Sequence, residues 1–246
     1  MYGLGTIINV VAILVGSAFG ALLGHRLPER TRVTVTDALG LVTLVIGGLN
    51  VMSLQDASFA DAVGDGVTLL VVLGALLIGG IAGSLLRIEF RLEQVGGWLQ
   101  RRFASGASES RARFVEGFVD SSLIFCIGPL AVLGALSDGL GQGIEELTLK
   151  SALDGFAAIA FAASLGWGVA ASALSVGVWQ GMLTVVAVVV GSAMSDALLA
   201  SLTATGGVLL LGVGLRLLNL RAVPVGDMLP ALVIAPLLTA GVALLA

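Results

Sequence analysis

Long apolar runs alternate with short polar intervals along the whole chain. A helix needs about 20 apolar residues to cross the hydrocarbon core. Stretches of that kind fall near 4–24, 36–54, 66–87, 114–136, 149–171, 174–195, 198–219 and 227–246. The pattern therefore predicts an all-α fold, a polytopic membrane helix bundle of about eight transmembrane helices forming a single integral membrane domain over 1–246. The fifth and sixth runs are nearly continuous, and their boundary is set at Ala-Ser-Ala-Leu-Ser, 171–175, although Gly166-Trp167-Gly168 also punctuates the stretch. Residues 88–113 interrupt the apolar pattern. Within them Ile88, Leu92, Val95 and Leu99 recur at helical spacing beside Trp98, Arg91, Arg101 and Arg102, which reads either as an interfacial amphipathic helix or as an extension of the third span.

Loop charge gives the expected orientation. Arg26, Arg30 and Arg32 follow the first span, Arg91, Arg101, Arg102, Arg111 and Arg113 the third, and Arg221 the seventh. The loops after the second and fourth spans carry Asp56, Asp61, Asp138, Glu145 and Glu146, with Lys150 close by. Cytoplasmic loops are the ones enriched in Lys and Arg, so the arginine loops are expected inside and both termini outside.

Composition removes several function classes. The chain is 57% hydrophobic and 11% charged, with a mean hydropathy of +1.08, whereas a soluble domain carries roughly a quarter charged residues. Eight spans and their loops use up 246 residues, leaving no separate soluble catalytic domain. Walker loop, dinucleotide fingerprint, His/Glu metal motif and nucleophile elbow are all missing, so the chain is not expected to be an enzyme and no cofactor, metal or nucleic acid is expected to bind. Cys126 is the only cysteine, which excludes an intramolecular disulfide and a Cys-based metal cluster. The first apolar run lacks a basic leader and a small-residue cleavage site, and it reads as a retained span.

The chain also repeats itself. Asn9–Ala18, NVVAILVGSA, and Thr184–Ala193, TVVAVVVGSA, agree at seven of ten positions. Downstream, Gly47-Gly48-Leu49-Asn50 corresponds to the Gly212, Gly214, Leu218-Asn219 region, and Val63-Gly64-Asp65 to Val225-Gly226-Asp227. Spans 1–3 and 6–8 are five crossings apart, so equivalent helices run in opposite directions: an inverted-topology repeat, with a first copy over 1–90, a central pair over 114–172 and a second copy over 173–246. Inverted repeats can rock around a site near mid-membrane and open alternately to each side. The central spans echo each other more faintly, through Asp120 and Asp154.

Polar residues inside spans mark candidate chemistry, because they are costly in hydrocarbon. Asp120 with Ser121 and Ser122 reads as an ion or proton site, or as a helix N-cap. Lys150 and Asp154, four residues apart, share a helical face and form an expected ion pair. Asn9 and Thr184 are repeat-equivalent, and Gln180 lies one turn before Thr184. Gly128-Pro129 breaks the fourth span, and Gly166 with Gly168 weakens the fifth; broken helices expose backbone groups that only a protein-lined cavity tolerates. The expected pathway thus comprises Asn9, Asp120, Ser121, Ser122, Gly128, Pro129, Asp154, Gly166, Gly168, Gln180 and Thr184. Gly16, Gly20 and Gly24, and Gly79 with Gly83, form small-residue stripes suited to close helix packing, which could hold a homodimer together. Asn219 is expected to cap its helix, and His25 beside Arg26 to be solvated.

Four stretches carry a family resemblance: GTIINVVAILVGSAFGALLG at the start, FVDSSLIFCIGPLAVLGALSDGL at 118–140, KSALDGFAAIAFAASLGWGVAASALSVGVWQG at 150–181, and LPAL at 229–232. They resemble the bacterial inner-membrane family typified by YqgA and YdfK. The resemblance implies a multi-pass protein of the bacterial inner (cytoplasmic) membrane, and it leaves function to the residues. Those favour a small secondary transporter that moves a small solute or ion by alternating access, with proton or cation coupling; the alternatives are a channel, or a membrane scaffold without transport. The expected partners are the lipid bilayer, the solute or ion, and a second copy of the chain.

Overall fold

A computed structural model of the chain describes residues 2–24, 28–64, 66–103, 108–126, 129–141, 143–190 and 195–244. Among the described residues all regular structure is helical. The helices are α1 Leu4–Gly24, α2 Glu29–Val51, α3 Ala57–Val63, α4 Thr68–Leu86, α5 Ile88–Phe103, α6 Ser108–Cys126, α7 Pro129–Leu140, α8 Glu145–Leu165, α9 Gly168–Val190, α10 Asp196–Leu217, α11 Val225–Met228 and α12 Ala231–Ala243. Among the described residues seven segments are long and apolar enough to cross a membrane, and α6 with α7 passes the same test as a pair bent by 79°.

The burial pattern is the one lipid selects. On α1 the inward positions are Gly5, Thr6, Asn9, Ile13, Gly16, Ser17, Gly20, Ala21 and Gly24, while Ile7, Val11, Leu14, Phe19, Leu22 and Leu23 face outwards. Small and polar residues inside with large apolar ones outside is the reverse of a water-soluble core, because lipid tails solvate Leu as well as protein does.

The helices pack into two compact units. The first comprises Met1–Leu39, Leu92–Cys126 and Leu130–Ser192, and the second Gly40–Arg91, Ile127–Pro129 and Ala193–Ala246. Both units interleave segments from early and late in the chain, so neither coincides with one copy of the sequence repeat.

In the first unit α1 and α8 run parallel in close contact. A Cβ on Gly16, Gly20 or Gly24 would collide with the carbonyl oxygen of Gly155, Ile159 or Ala163 respectively. The α9 helix runs antiparallel to α1, with Asn9 against Gln180 and Val10 against Gly177. Along α9 runs α6, parallel to it: Gly168 lies against the Phe114 carbonyl and Ser175 against Ser122. The α6–α7 pair therefore starts at the end of the unit that holds Gly24 and Gly168. It finishes at the other end, where Gly134 packs on Leu147, Gly139 meets Thr184 and Ala187, and Asp138 binds the start of α1. The bent pair thus runs from one end of the unit to the other instead of turning back, and counted as one span it would bring the seven apolar segments to eight.

The second unit is built from antiparallel pairs. Gly40 and Gly47 of α2 pack against α10 at Gly214–Leu218 and Gly207–Leu211, and Gly79 and Gly83 of α4 pack against Ala231 and Asp227 at the start of α12 and in α11. Phe59, Val63, Val71, Val72, Ala200 and Ala204 form its apolar core.

Several boundaries differ from the sequence reading. The fifth span, α8, ends at Leu165, not in the Ala-Ser-Ala-Leu-Ser stretch: Gly166 takes φ +79°, a left-handed value that glycine adopts without steric cost, and its N–H caps the helix at the Ala162 carbonyl. The α5 segment is a helix separate from α4, divided from it by Arg87 at φ 53°. The second helix starts at Glu29, ahead of its apolar run, because polar residues extend a helix beyond the span it serves. The short α3 helix has no counterpart in the sequence reading; Asp56 caps it by accepting from the Ser58 N–H at 2.9 Å.

Candidate functional site

Three helices of the first unit bring a chain of polar side chains together in its interior. Lys150 and Asp154 lie one turn apart on α8, with Nζ 2.5 Å from Oδ2, and both are buried. Asn9 of α1 donates from Nδ2 to the same Asp154 oxygen at 3.0 Å and to Gln180 Oε1 of α9 at 3.3 Å. Asn9 and Gln180 are 0% and 1% exposed. Beside the Lys150 cation Asp154 acts as an acceptor only, which obliges Asn9 to turn its NH2 group towards it. The second hydrogen of that NH2 then requires the carbonyl of Gln180, so one carboxylate fixes the orientation of both amides.

This order leaves two ends free. Among the described residues Asn9 Oδ1 and Gln180 Nε2 have no hydrogen-bond partner, and neither do the buried hydroxyls of Thr6 and Thr184. Thr6 lies one turn from Asn9 and Thr184 one turn from Gln180, so the faces of α1 and α9 present one acceptor, one donor and two hydroxyls close to a neutralised charge pair. Unpaired buried polar groups cost roughly 1–3 kcal/mol each, and such a cluster is a candidate binding site with a physical rationale. Cys126, at the end of α6, lies within electrostatic reach of Lys150 and Asp154. The α7 helix follows the break beyond it and packs on Thr184 and on the first turns of α1 and α8.

Other sequence candidates have different places. Asp120 is fully buried, twelve residues into α6, so the N-cap reading does not hold. Ser121 and Ser122 are also buried, and Ser122 donates to Ser175 Oγ at 3.0 Å. Asp154 is level with Asn9 and Gln180, whereas Asp120 lies close to the level of Ser175, further along the unit. The two aspartates therefore do not occupy matching registers against α1 and α9, and the faint echo between them has no counterpart in the packing. Gly166 and Gly168 sit at the far end of the unit, as a helix stop and as a contact with Phe114. Pro129 opens α7, while Gly128, His25 and Arg26 lie outside the described residues. Both glycine stripes are occupied within the chain, Gly16, Gly20 and Gly24 by α8, and Gly79 and Gly83 by α11 and α12, so neither stripe is a free surface for a homodimer. Asn219 takes a left-handed φ of 54° just past α10, as a C-terminal cap requires.

Some interactions have no local signature in the sequence. Asp138 belongs to α7 and is 3% exposed; it is not a loop charge. Its two oxygens accept from the Gly3 N–H at 3.0 Å and the Gly5 N–H at 3.1 Å, capping α1 from across the fold and placing negative charge where the helix dipole favours it. In the second unit Glu89 pairs with Arg216 and accepts from the Gly226 N–H at 2.6 Å, while its own N–H donates to Asp227 Oδ1 at 2.8 Å. No spacing rule links residues so far apart in the chain.

The chain matches, over residues 4–240, the family described as protein of unknown function (DUF554). It is 33% identical over 238 residues to "Uncharacterized protein YqgA" of Escherichia coli (strain K12), covering 96% of each chain. It is 30% identical over 234 residues to "Uncharacterized membrane protein YdfK" of Bacillus subtilis (strain 168), covering 94% of this chain and 93% of the other. No solved structure matches. The chain belongs to the DUF554 family and is a helical, multi-span membrane protein.

Proposed function

We propose that this DUF554 member is a small secondary transporter in the bacterial inner membrane, with both termini external, which carries a small solute or ion by alternating access between inverted repeats. One observation carries the reading: a buried ion pair, two amides and two hydroxyls, with several groups unpaired, lie where helices from the two proposed copies meet. Keeping such a cluster within hydrocarbon costs several kcal/mol, which a function has to offset.

The directions of the packed helices support the repeat. A two-fold axis in the membrane plane pairs each helix with an antiparallel copy of itself. The repeat-equivalent pairs α1 with α9, α2 with α10 and α4 with α12 each touch, and each pair is antiparallel. The broken fourth crossing supports a gating role for α7, which adjoins the cluster at the α1 N-terminal end of the first unit.

Reconstitution tests the reading. Uptake into proteoliposomes should saturate and should respond to a proton or sodium gradient. Unitary currents without saturation would replace the carrier with a channel, and no flux for any solute would favour a scaffold.

A further inference from the structure

We propose that the Asn9–Gln180 cluster binds a small uncharged solute carrying a hydrogen-bond donor and an acceptor on neighbouring atoms, with the primary amide as its simplest example; this deepens the transporter reading and rests on it. Lys150 and Asp154 already neutralise each other at 2.5 Å. A ligand with net charge would meet at this cluster a pair that is already neutralised, and an uncompensated ion in a low-dielectric interior is far more costly than a hydrogen-bonded dipole. Polarity is fixed from the same source. Asp154 holds the NH2 of Asn9, Asn9 holds the carbonyl of Gln180, and what remains is an acceptor at Asn9 Oδ1 and a donor at Gln180 Nε2.

The ligand that satisfies both ends offers N–H or O–H to Asn9 and a carbonyl or hydroxyl oxygen to Gln180. Thr6 and Thr184 can each donate or accept, so they complete the shell for either arrangement without selecting a charge. Gln180 is the specificity-determining member, because it supplies the one fixed donor. Neither end can be reversed while Asp154 and Lys150 stay paired, and an acceptor-only anion or a bare cation would satisfy one end and oppose the other.

The test uses acetamide, its anionic isostere acetate, and sodium as three probes of the full-length protein in proteoliposomes. Acetamide flux, followed by stopped-flow swelling, should saturate above the protein-free background, and acetate flux, and sodium flux measured without acetamide, should stay at background. Gln180→Met keeps length and removes both the donor to the ligand and the acceptor for the Asn9 NH2; it should lower the saturable acetamide component at least about tenfold, the effect of losing one buried hydrogen bond of ordinary strength or more. A binding assay that needs no variant runs beside it. Acetamide, and not acetate, should slow N-ethylmaleimide modification of Cys126 in detergent. Protection of Cys126 without flux leaves the site standing and fails the transporter reading. Saturable sodium or acetate flux with no response to acetamide keeps the transporter and overturns the uncharged ligand, whereas the absence of both flux and protection overturns the two together.

Discussion

Lys150 Nζ and Asp154 Oδ2 lie 2.5 Å apart, one turn along α8, with side-chain exposures of only 8% and 10%. A pair this buried is less a source of stability than a constraint, since desolvation offsets most of the attraction, yet removing one partner strands the other at about 3–5 kcal/mol. Asp154 also holds Asn9, so the pair governs the orientation of the amides as well as its own charge.

Asp154→Asn and Lys150→Met should each lower the thermal midpoint in detergent markedly, whereas the double variant Lys150→Met with Asp154→Leu should recover most of the loss. Uptake should stay absent in the double variant, because the anchor for Asn9 is gone. A double variant no more stable than the singles would show that the pair is not the reason for their loss.

The α1–α8 contact separates glycines by what a methyl group would meet. Gly20 faces the Ile159 carbonyl, while Gly48 and Gly181 have nothing within 4 Å of an added Cβ. Gly20→Ala should destabilise by roughly 1–3 kcal/mol through overpacking, and Gly48→Ala and Gly181→Ala should be neutral or slightly stabilising through helix propensity. Thermal unfolding of the three variants checks the order, and equal shifts would contradict parallel close packing of α1 on α8.

How much of this can be read from the chain depends on whether the signal is local. Apolar runs fix where helices form, because each run carries its own solvation energy; the runs near 4–24 and 66–87 coincide with α1 and α4 to within a few residues, and seven to eight apolar segments follow. The glycine stripes are equally legible as packing surfaces, but their partners are not, since Gly16 cannot announce that it meets Gly155 in place of a second chain. Asn9, Gln180, Thr184, Lys150 and Asp154 stand out as polar residues in apolar runs, so the members of the cluster are visible and their order is not. The roles of Asp138 and Glu89 are hidden because each acts on backbone amides more than 130 residues away. The helix stop at Gly166 is present in the sequence, but the longer Ala/Ser-rich interval competes with it, and one left-handed glycine ends a helix more sharply than such an interval does.

Topology gives a direct check of the crossings. Reporter fusions at positions 105 and 223 should read cytoplasmic, and fusions at 58 and 142 external. Matching signals from 105 and 142 would mean that α6 with α7 does not complete a crossing, and the proposed inverted repeat would fall with it.

Asp56 offers a pH test outside the spans. Hydrogen bonding by the Ser58 hydroxyl, more than burial opposes it, holds the Asp56 carboxyl below its ordinary value. A lowered value in the folded state means that the carboxylate stabilises α3 at neutral pH and that this contribution disappears as pH falls through the acidic carboxylate range. Asp56→Ala should cost about 1 kcal/mol as a lost N-cap. Amide exchange at Ser58 and Phe59 should rise in the variant at neutral pH, and the difference from wild type should shrink in acid.

Glu89 carries the last prediction. Its two oxygens serve different partners, Arg216 and the Gly226 N–H, and its own N–H holds Asp227, so one residue ties the start of α5 to the end of α10 and to α11. Glu89→Gln leaves one acceptor for two donors and turns an NH2 group towards one of them, a loss of roughly 1.5–3 kcal/mol for a hydrogen bond to a charged group. The expected readout is faster amide exchange at Gly226 and in the first turn of α5. Glu89→Asp should fall short of at least one partner and give a milder version of the same pattern. If Gln at this position leaves the Gly226 amide as protected as in wild type, the link does not hold the α10–α11 connection, and α5 must be fixed by its apolar face alone.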